Sequence, residues 1–175
     1  MKYILDFDRT LFNSPACYQY ITEQKGEFEF TAEALADIEV CQFLYDDVIS
    51  WLNTKSKADL YILTAISPKY GPSAGDFQRE KLFCSQVVDA VKDVVFMEGL
   101  KGEPVAEIAK QFPPHEPLVF VDDRIEQCLS VKSAAPEAVC CLMVRDPAVV
   151  GEVSEVQGIK IVHCLADVDA IIEEL

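Results

Sequence analysis

Short apolar runs alternate along the chain with longer stretches in which apolar residues recur at helical spacing. Runs rich in Val and Ile lie at 3–5, 60–63, 94–97, 118–121, 139–144 and 159–162. Because these runs are apolar on both faces, they predict strands that helices cover on both sides, as in a parallel sheet. Helical patterns lie between them, around 74–90, 102–112 and 124–134. The alternation predicts an α/β fold: a doubly wound parallel (Rossmann-like) sheet flanked by helices.

The region between the first two runs interrupts this alternation. It is about fifty residues long, which is far longer than a βα crossover needs to be. Ser14 and Pro15 predict the N-cap and first residue of a helix, and Gly26 predicts its end. Thr31 predicts the cap of a second, longer helix. The apolar residues of that helix form one stripe: Leu35, Ile38, Cys41, Tyr45, Val48 and Leu52.

These signals predict a small helical cap inserted after the first strand. We expect residues 13–56 to form the cap, and residues 1–12 and 57–175 to form the core domain. The alternative is an ordinary pair of helices that covers the sheet. At 175 residues the chain is long enough for one domain with a substantial hydrophobic core.

Composition and charge exclude several classes of protein. Half of the residues are hydrophobic, which excludes a disordered chain, yet no apolar run approaches the roughly 20 residues of a membrane helix. The net charge of −15 argues against a nucleic-acid partner, although a local cation would still allow a small phosphorylated ligand. Seven cysteines without C-x-x-C spacing argue against a disulfide framework and favour a cytoplasmic location.

Polar residues that could take part in catalysis or metal binding follow several of the predicted strands. They are Asp6, Asp8 and Thr10 after the first, Thr64 after the second, Lys101 after the third, and Asp122 and Asp123 after the fourth. Ligands of open parallel sheets bind beyond the carboxyl ends of the strands, so these residues should converge. Clustered carboxylates are costly without a hard cation, and Mg²⁺ suits a few oxygen ligands with waters that a phosphate replaces.

Four segments, in this order, resemble the motifs of the haloacid dehalogenase (HAD) superfamily. Residues 4–11 resemble the first motif, an apolar strand followed by D-x-D-x-T, and residues 60–64 resemble the second. Lys101 with Gly102 is similar to the third motif, and residues 119–123 are similar to the fourth. The ordered set is more specific than a single D-x-D-x-T, and it implies a magnesium-dependent phosphatase.

The resemblance also implies a role for each matched residue. Asp6 would be the nucleophile that forms an aspartyl-phosphate, and Asp8 would be the general acid and then the general base. Thr64 and Lys101 would bind the phosphoryl oxygens. The metal would be Mg²⁺, and its implied ligands are Asp6, Asp8, Asp122 and Asp123. The substrate would be a small phosphorylated metabolite, and neither a nucleic acid nor a membrane is expected as a partner.

Several alternatives stay open from the sequence. Lys81 and Lys110 are other candidates for the phosphate-binding lysine, but Lys81 should point into solvent and Lys110 falls late in its helix. Arg9 occupies a place often filled by glycine, and Glu126 could act in an outer shell of the metal site. Phe28 and Phe30, in the predicted turn of the insertion, are expected to pack but could contact substrate.

The activity has alternatives as well. A phosphotransferase or phosphomutase would share these motifs, and a non-catalytic module could use the same pocket to bind a phosphorylated ligand. A receiver-type signalling domain is disfavoured, because its phosphorylated Asp should follow the third strand and a Lys should follow the fifth. Those strands are followed instead by Glu98 and by Arg145.

Overall fold

The computed structural model describes residues 1–113, 115–145 and 154–174. Its strands form one seven-stranded sheet. They are β1 Lys2–Leu5, β2 Leu60–Ala65, β3 Asp93–Met97, β4 Leu118–Asp122, β5 Val139–Met143, β6 Ser154–Val156 and β7 Ile159–Val162. The strand order is β3-β2-β1-β4-β5-β7-β6, and only the β6–β7 pair is antiparallel. The predicted fold class is therefore confirmed.

Helices cover both faces of this sheet. They are α1 Ser14–Lys25, α2 Val48–Leu52, α3 Ala74–Cys84, α4 Gly102–Ala109, α5 Ile125–Ala134 and α6 Leu165–Glu173. Side chains of α4 and α5 pack with Ile4 and Phe120 in one hydrophobic cluster. Those of α1, α2, α3 and α6 pack with Leu5 and Val121 in the other. Alternate residues of the central strands therefore enter opposite layers, which explains their continuous apolar runs.

The predicted helices match the observed ones better in α3, α4 and α5 than in the insertion. The long helix predicted from Thr31 to Leu52 is wrong, because the region forms two 3-10 helices, Ala32–Leu35 and Val40–Phe43, and then the short α2. Asp37 has a φ of 64°, which a continuous right-handed helix excludes. Most of the predicted stripe still faces the sheet, but successive turns place it there.

The first helix of the insertion begins and ends almost as predicted. Asn13, not Ser14, is the N-cap, and its side-chain oxygen accepts from the Ala16 N–H at 3.2 Å. Gly26 ends the helix in the left-handed region at a φ of 83°, where glycine carries no steric penalty. The Gly26 N–H donates to the Thr22 carbonyl at 2.8 Å.

The insertion packs on the sheet and shares its hydrophobic core. Leu35, Phe43 and Leu52 belong to the same buried cluster as the inner residues of β1. Trp51 contacts Tyr3 edge to face at 5.3 Å between ring centroids, and its indole N–H donates to Asp169 at 3.0 Å. This packing agrees with the alternative of helices that cover the sheet, while the division into core and cap stays a prediction.

Two further features of the described residues concern the edge of the sheet and the length of the helices. The sequence pattern did not indicate β6, a three-residue edge strand without an apolar run. Among the described residues, no helix is both long and apolar enough to cross a membrane.

Candidate active site

Three neighbouring strands end at the same edge of the sheet and bring polar residues together there. Asp6 directly follows β1, Thr64 lies near the end of β2, and Asp122 is the last residue of β4. β1 lies between the other two strands, and the Asp6 N–H donates to the Val121 carbonyl at 2.8 Å. These residues line a cavity of about 420 Å³. The predicted convergence at the carboxyl ends of the strands is therefore present.

Asp6, Asp122 and Asp123 form a compact group of carboxylates. Each offers an oxygen within 4.8 Å of the others, and Asp6 and Asp122 are buried. The buried Lys101 ammonium donates to Asp6 and, at 2.6 Å, to Asp122. Two of the three carboxylates thus share one ammonium, so the group carries excess negative charge when all three are ionised. Oxygen donors in such a cluster fit a small divalent cation such as Mg²⁺.

The pKa values of these carboxyl groups reflect the same excess of negative charge. Burial, reinforced by Asp122 and Asp8, raises the pKa of Asp6 to about 7, although Lys101 opposes the shift. Burial and the neighbouring Asp6 raise the pKa of Asp123 to about 6, and burial raises the pKa of Asp122. The carboxyl groups therefore retain protons more readily than usual unless another positive charge lies among them.

Lys101 reaches the acids because its backbone is fixed just before α4. The Lys101 N–H donates to the Gln127 side-chain oxygen at 2.8 Å, and the Gln127 amide donates to the Gly99 carbonyl at 3.1 Å. A Cβ on Gly102 would lie 2.3 Å from the Ser130 carbonyl oxygen, so only glycine allows this approach of α4 to α5. The Lys–Gly pair predicted from the sequence therefore has a packing reason for its glycine.

Asp8 has different surroundings from Asp6, although only one residue separates them. Its carboxylate accepts hydrogen bonds from the Ser14 hydroxyl, from the Lys81 ammonium and, at 2.6 Å, from the Gln78 amide. Burial alone would raise the pKa of Asp8, but Lys81 and these hydrogen bonds lower it. The Asp8 side chain is therefore directed towards α3 and lies outside the compact group of Asp6, Asp122 and Asp123, so its assignment as a fourth metal ligand stays a prediction.

Lys81 corrects an interpretation of the sequence, because it does not point into solvent. Its side chain has 0% exposure and lies in an ion pair with Asp8. The ammonium lies 5.3 to 5.6 Å from four ring centroids, those of Phe7, Phe12, Tyr18 and Phe77. It also donates to the Tyr18 hydroxyl at 3.1 Å.

Ser14, Tyr18 and Gln78 are therefore residues near the site that the sequence interpretation missed, and Lys81 is one whose orientation it predicted wrongly. A signal was present for two of them. Ala74, Phe77, Gln78 and Lys81 follow the i, i+3, i+4, i+7 spacing of one helix face, and all four are buried. If Phe77 faces the core, the polar Gln78 and Lys81 must face inward with it and require partners there.

Thr64 is buried beside the residues that surround Asp8. Its hydroxyl oxygen accepts from the Gln78 amide at 2.8 Å, and this bond does not use the hydroxyl hydrogen. Gln78 therefore links the residue predicted to bind phosphate to the predicted general acid. Thr64 lines the cavity together with Lys101, as the sequence predicts for a phosphate-binding pair.

The other candidates lie in less central places. Lys110 is exposed at the C-cap of α4, where it pairs with Glu107, and Glu126 is half-exposed and pairs with Arg124. Neither Lys110 nor Glu126 lines the cavity. Arg9 does line it, and its φ of 60° belongs to a tight turn in which its N–H donates to the Phe12 carbonyl at 2.6 Å.

Aromatic residues from the insertion and from the β2–α3 loop form one wall of the cavity. Phe30 stacks on Tyr70 with ring centroids 4.2 Å apart, and both line the cavity. Phe28 packs behind them, stacked on Tyr18 at 4.5 Å, without lining the cavity itself. The insertion thus contributes directly to the cavity through Phe30 and Tyr18.

Solved structures with a similar fold cover nearly the whole chain. A haloacid dehalogenase-like family hydrolase from Xanthomonas campestris has a TM-score of 0.63 at 13% identity, covering 99% of this chain and 95% of that one. The magnesium-bound candidate HAD-hydrolase YfnB from Bacillus subtilis has a TM-score of 0.62 at 15% identity, covering 97% of each chain. The D,D-heptose 1.7-bisphosphate phosphatase from B. bronchiseptica, complexed with magnesium and phosphate, has a TM-score of 0.54 at 14% identity over 100% of both chains.

At these identities the likeness establishes the fold alone. No protein-family model and no curated protein sequence matches the chain.

Proposed function

We propose that this chain, whose fold is that of the haloacid dehalogenase-like hydrolases, is a magnesium-dependent phosphomonoester hydrolase. One observation carries the proposal. Asp6 lies at the end of the central strand, within 4.8 Å of Asp122 and Asp123, and it is bonded to the buried Lys101. A carboxylate beside both a candidate metal site and a lysine is suited to attack a phosphoryl group whose oxygens those cations neutralise.

In the proposed reaction, an Asp6 carboxylate oxygen attacks phosphorus while the bond to the leaving oxygen breaks. The phosphoryl group becomes an aspartyl-phosphate on Asp6, and water then attacks the same phosphorus to release phosphate. The Lys101 ammonium and the Thr64 hydroxyl would bind the phosphoryl oxygens. Phosphoryl transfer depends mainly on such positioning and charge neutralisation.

Magnesium would be held by Asp6, Asp122 and Asp123. When bound, it would supply positive charge next to the transferring oxygens. Lys101 is bonded to both Asp6 and Asp122, so one ammonium serves two carboxylates. Placing a cation among the acids would leave Lys101 better able to donate to a phosphoryl oxygen.

Asp8 would transfer protons in both steps. In the first step its proton goes to the leaving oxygen, and in the second it accepts a proton from the attacking water. Its lowered pKa suits the second role. For the first, the negative charge of a phosphoryl group bound beside Asp8 would raise its pKa towards the range of a proton donor.

The proposed substrate is a small phosphorylated metabolite. The cavity volume of about 420 Å³ lies within the range of small-molecule sites. Arg9 and Lys69 at the cavity add positive charge to a chain of net charge −15. All seven cysteines are free thiols, which supports the proposal that the protein acts in the reducing cytoplasm.

The test is hydrolysis of p-nitrophenyl phosphate by the purified chain with Mg²⁺, with Ca²⁺ and with a chelator. We expect turnover with Mg²⁺, no turnover with the chelator, and little with Ca²⁺, which prefers a larger and looser coordination sphere. Phosphate release from a panel of sugar phosphates and nucleotides would then rank natural substrates. Equal rates in all three buffers, or no hydrolysis of any phosphomonoester, would contradict the proposal.

A further inference from the structure

The ion pair between Lys81 and Asp8 is the feature of the site that phosphoryl chemistry alone does not explain. The Lys81 side chain has no solvent exposure, and its ammonium donates to one Asp8 oxygen and to the Tyr18 hydroxyl. The Ser14 hydroxyl donates to the same Asp8 oxygen. Lys81 does not line the cavity, whereas Asp8 does, so a substrate would meet Asp8 and not the lysine.

The second oxygen of Asp8 is held by the same helix. The Gln78 amide donates to it at 2.6 Å and to the Thr64 hydroxyl at 2.8 Å. Gln78 and Lys81 are three residues apart in α3, a spacing that places both side chains on one helix face. Each carboxylate oxygen of Asp8 therefore has a donor from α3, and two donors on different oxygens fix the rotation of the carboxyl plane.

Packing alone does not account for a lysine at this position. Its ammonium lies among the rings of Phe7, Phe12, Tyr18 and Phe77. A buried ammonium has lost its hydration, whereas an apolar side chain of similar volume would pack against these rings without that penalty. The feature that a lysine adds, and that methionine or leucine would not, is the charged donor on Asp8.

We propose that Lys81, together with Gln78, is a positioning residue that holds the Asp8 carboxyl group in place for proton transfer to the leaving oxygen. The inference rests on the proposed function. When the bond from phosphorus to the leaving oxygen breaks, the proton on Asp8 moves to that oxygen and Asp8 becomes a carboxylate. Lys81 keeps its protons throughout and acts only through Asp8.

This role has a consequence that depends on the leaving group. A strongly basic leaving oxygen needs a proton as it departs, whereas a weakly basic one, such as p-nitrophenolate, departs readily without it. Loss of Lys81 should therefore slow phenyl phosphate much more than p-nitrophenyl phosphate, two substrates of similar shape. The kcat/KM value is the relevant quantity, because it reports the steps up to the first irreversible transfer.

The experiment compares Lys81→Met with the wild-type chain on these two substrates. Methionine has a similar length and packs well against aromatic rings. We expect kcat/KM for phenyl phosphate to fall about 10²-fold, within the range attributed to general acid catalysis, and kcat/KM for p-nitrophenyl phosphate to fall less than about tenfold. Lys81→Arg, which keeps a charged donor, should recover part of the loss, and Lys110→Met, which replaces an exposed lysine just after α4, should change neither value.

A double-mutant cycle with Asp8→Asn separates positioning from a general effect on the fold. If Lys81 acts through Asp8, Lys81→Met should have little further effect in the Asp8→Asn background. Equal losses for both substrates in Lys81→Met, or the same loss with and without Asp8, would overturn the inference. If Lys81→Met does not fold, Gln78→Met, which removes the other donor of α3 on Asp8, takes its place with the same ratio of losses as the readout.

The wild-type chain distinguishes the two proposals. Absence of magnesium-dependent hydrolysis of p-nitrophenyl phosphate contradicts the proposed function itself. Hydrolysis by the wild type, combined with losses in Lys81→Met that are equal for both leaving groups, contradicts only the positioning role of Lys81.

Discussion

Asp6 and Asp8 lie close together in the sequence, yet their carboxylates have different electrostatic surroundings. Asp6 shares Lys101 with Asp122 and has its pKa raised to about 7, mainly by burial. Asp8 accepts from Lys81 and from two neutral donors, none of which is bonded to a second carboxylate, and its pKa is lowered. These shifts oppose the proposed roles, because a nucleophile must be ionised and a proton donor must carry a proton. A cation among the acids would lower the pKa of Asp6, and a phosphoryl group bound beside Asp8 would raise the pKa of Asp8.

The role of Asp6 is tested by Asp6→Asn. Asparagine keeps the size of the side chain but removes its negative charge, so it cannot attack phosphorus effectively. We expect turnover of p-nitrophenyl phosphate to be lost, with the far-ultraviolet circular dichroism spectrum unchanged. Asp76→Asn, which alters an exposed acid of α3, is the matched control and should keep wild-type turnover. Residual hydrolysis by Asp6→Asn within about tenfold of wild type would exclude Asp6 as the nucleophile.

At the scale of secondary-structure elements, the close approach of α4 to α5 determines where Lys101 lies. Gly102 N–H donates to the Ser130 hydroxyl at 3.1 Å, and the Gly102 Cα lies against the Ser130 carbonyl without room for a Cβ. The backbone of Lys101 is held by Gln127 from the same helix, α5. Helix packing therefore controls the position of a side chain that is essential to the proposed site.

Gly102→Ala tests this packing. The new Cβ would lie 2.3 Å from a backbone oxygen, so α4 must move, and we expect a loss of about 1–3 kcal/mol in the free energy of unfolding. Lys101 should move with α4, so kcat should also fall. Urea denaturation and steady-state kinetics measure the two effects.

The control is Gly75→Ala, in the first turn of α3. Its Cβ would meet only the flexible end of the Arg79 side chain and side-chain atoms of Ile66. It should leave stability unchanged or slightly higher. If Gly102→Ala behaves like Gly75→Ala, the steric account of the Lys–Gly pair is wrong.

The insertion contributes to the cavity through Phe30, which offers a test with a closely matched control. Phe28 and Phe30 pack in the same aromatic group, but only Phe30 lines the cavity. We expect both Phe28→Ala and Phe30→Ala to lower the free energy of unfolding, because each removes aromatic packing. Only Phe30→Ala should also raise KM for small phosphomonoesters, about three- to tenfold, since it opens the wall beside the substrate.

Equal KM values for the two variants and the wild type would indicate that the insertion only covers the sheet. Faster turnover of a phosphoprotein than of any metabolite would support the same conclusion, because an open site then serves a larger partner.

At the scale of the whole molecule, the chain has a net charge of −15, so a bound cation reduces the repulsion between its acids and should stabilise the folded state. Mg²⁺ that binds the folded acid group and not the unfolded chain should stabilise the protein by about 2.7 kcal/mol at 100 times its Kd. For a chain of this size, that corresponds to a rise in Tm of roughly 5–11 °C. Differential scanning calorimetry with and without Mg²⁺ measures the shift.

The control for this measurement is Asp122→Asn, which keeps the shape of a buried residue of the proposed metal site but removes its charge. We expect the variant to lose most of the magnesium-dependent rise in Tm. A wild-type Tm that does not respond to millimolar Mg²⁺, or an equal rise in the variant, would contradict the proposed metal site.

The sequence by itself determined the sheet and the placement of its polar ends. Continuous apolar runs require burial on both faces, and parallel strands must deliver Asp6, Thr64 and Asp122 to one edge. The motif spacing also indicated Lys101, which the motif pairs with the adjacent Gly102. The sheet is confirmed and the structure places these side chains together, because both depend on local periodicity or on the common direction of neighbouring strands, whereas the roles of the residues stay predictions.

Only the tertiary structure decided how the insertion folds and where Lys81 lies. The apolar stripe from Leu35 to Leu52 suits a long helix, but contact with the sheet is achieved instead by short turns that a positive φ at Asp37 separates. A lysine in a surface helix normally reaches solvent, and Lys81 is buried because Asp8 and three rings that are distant in sequence meet it there, beside the ring of Phe77 from its own helix. Helical periodicity places Lys81 on the same face as Phe77, but the partners that make a buried charge tolerable are distant in the chain, and periodicity does not identify them.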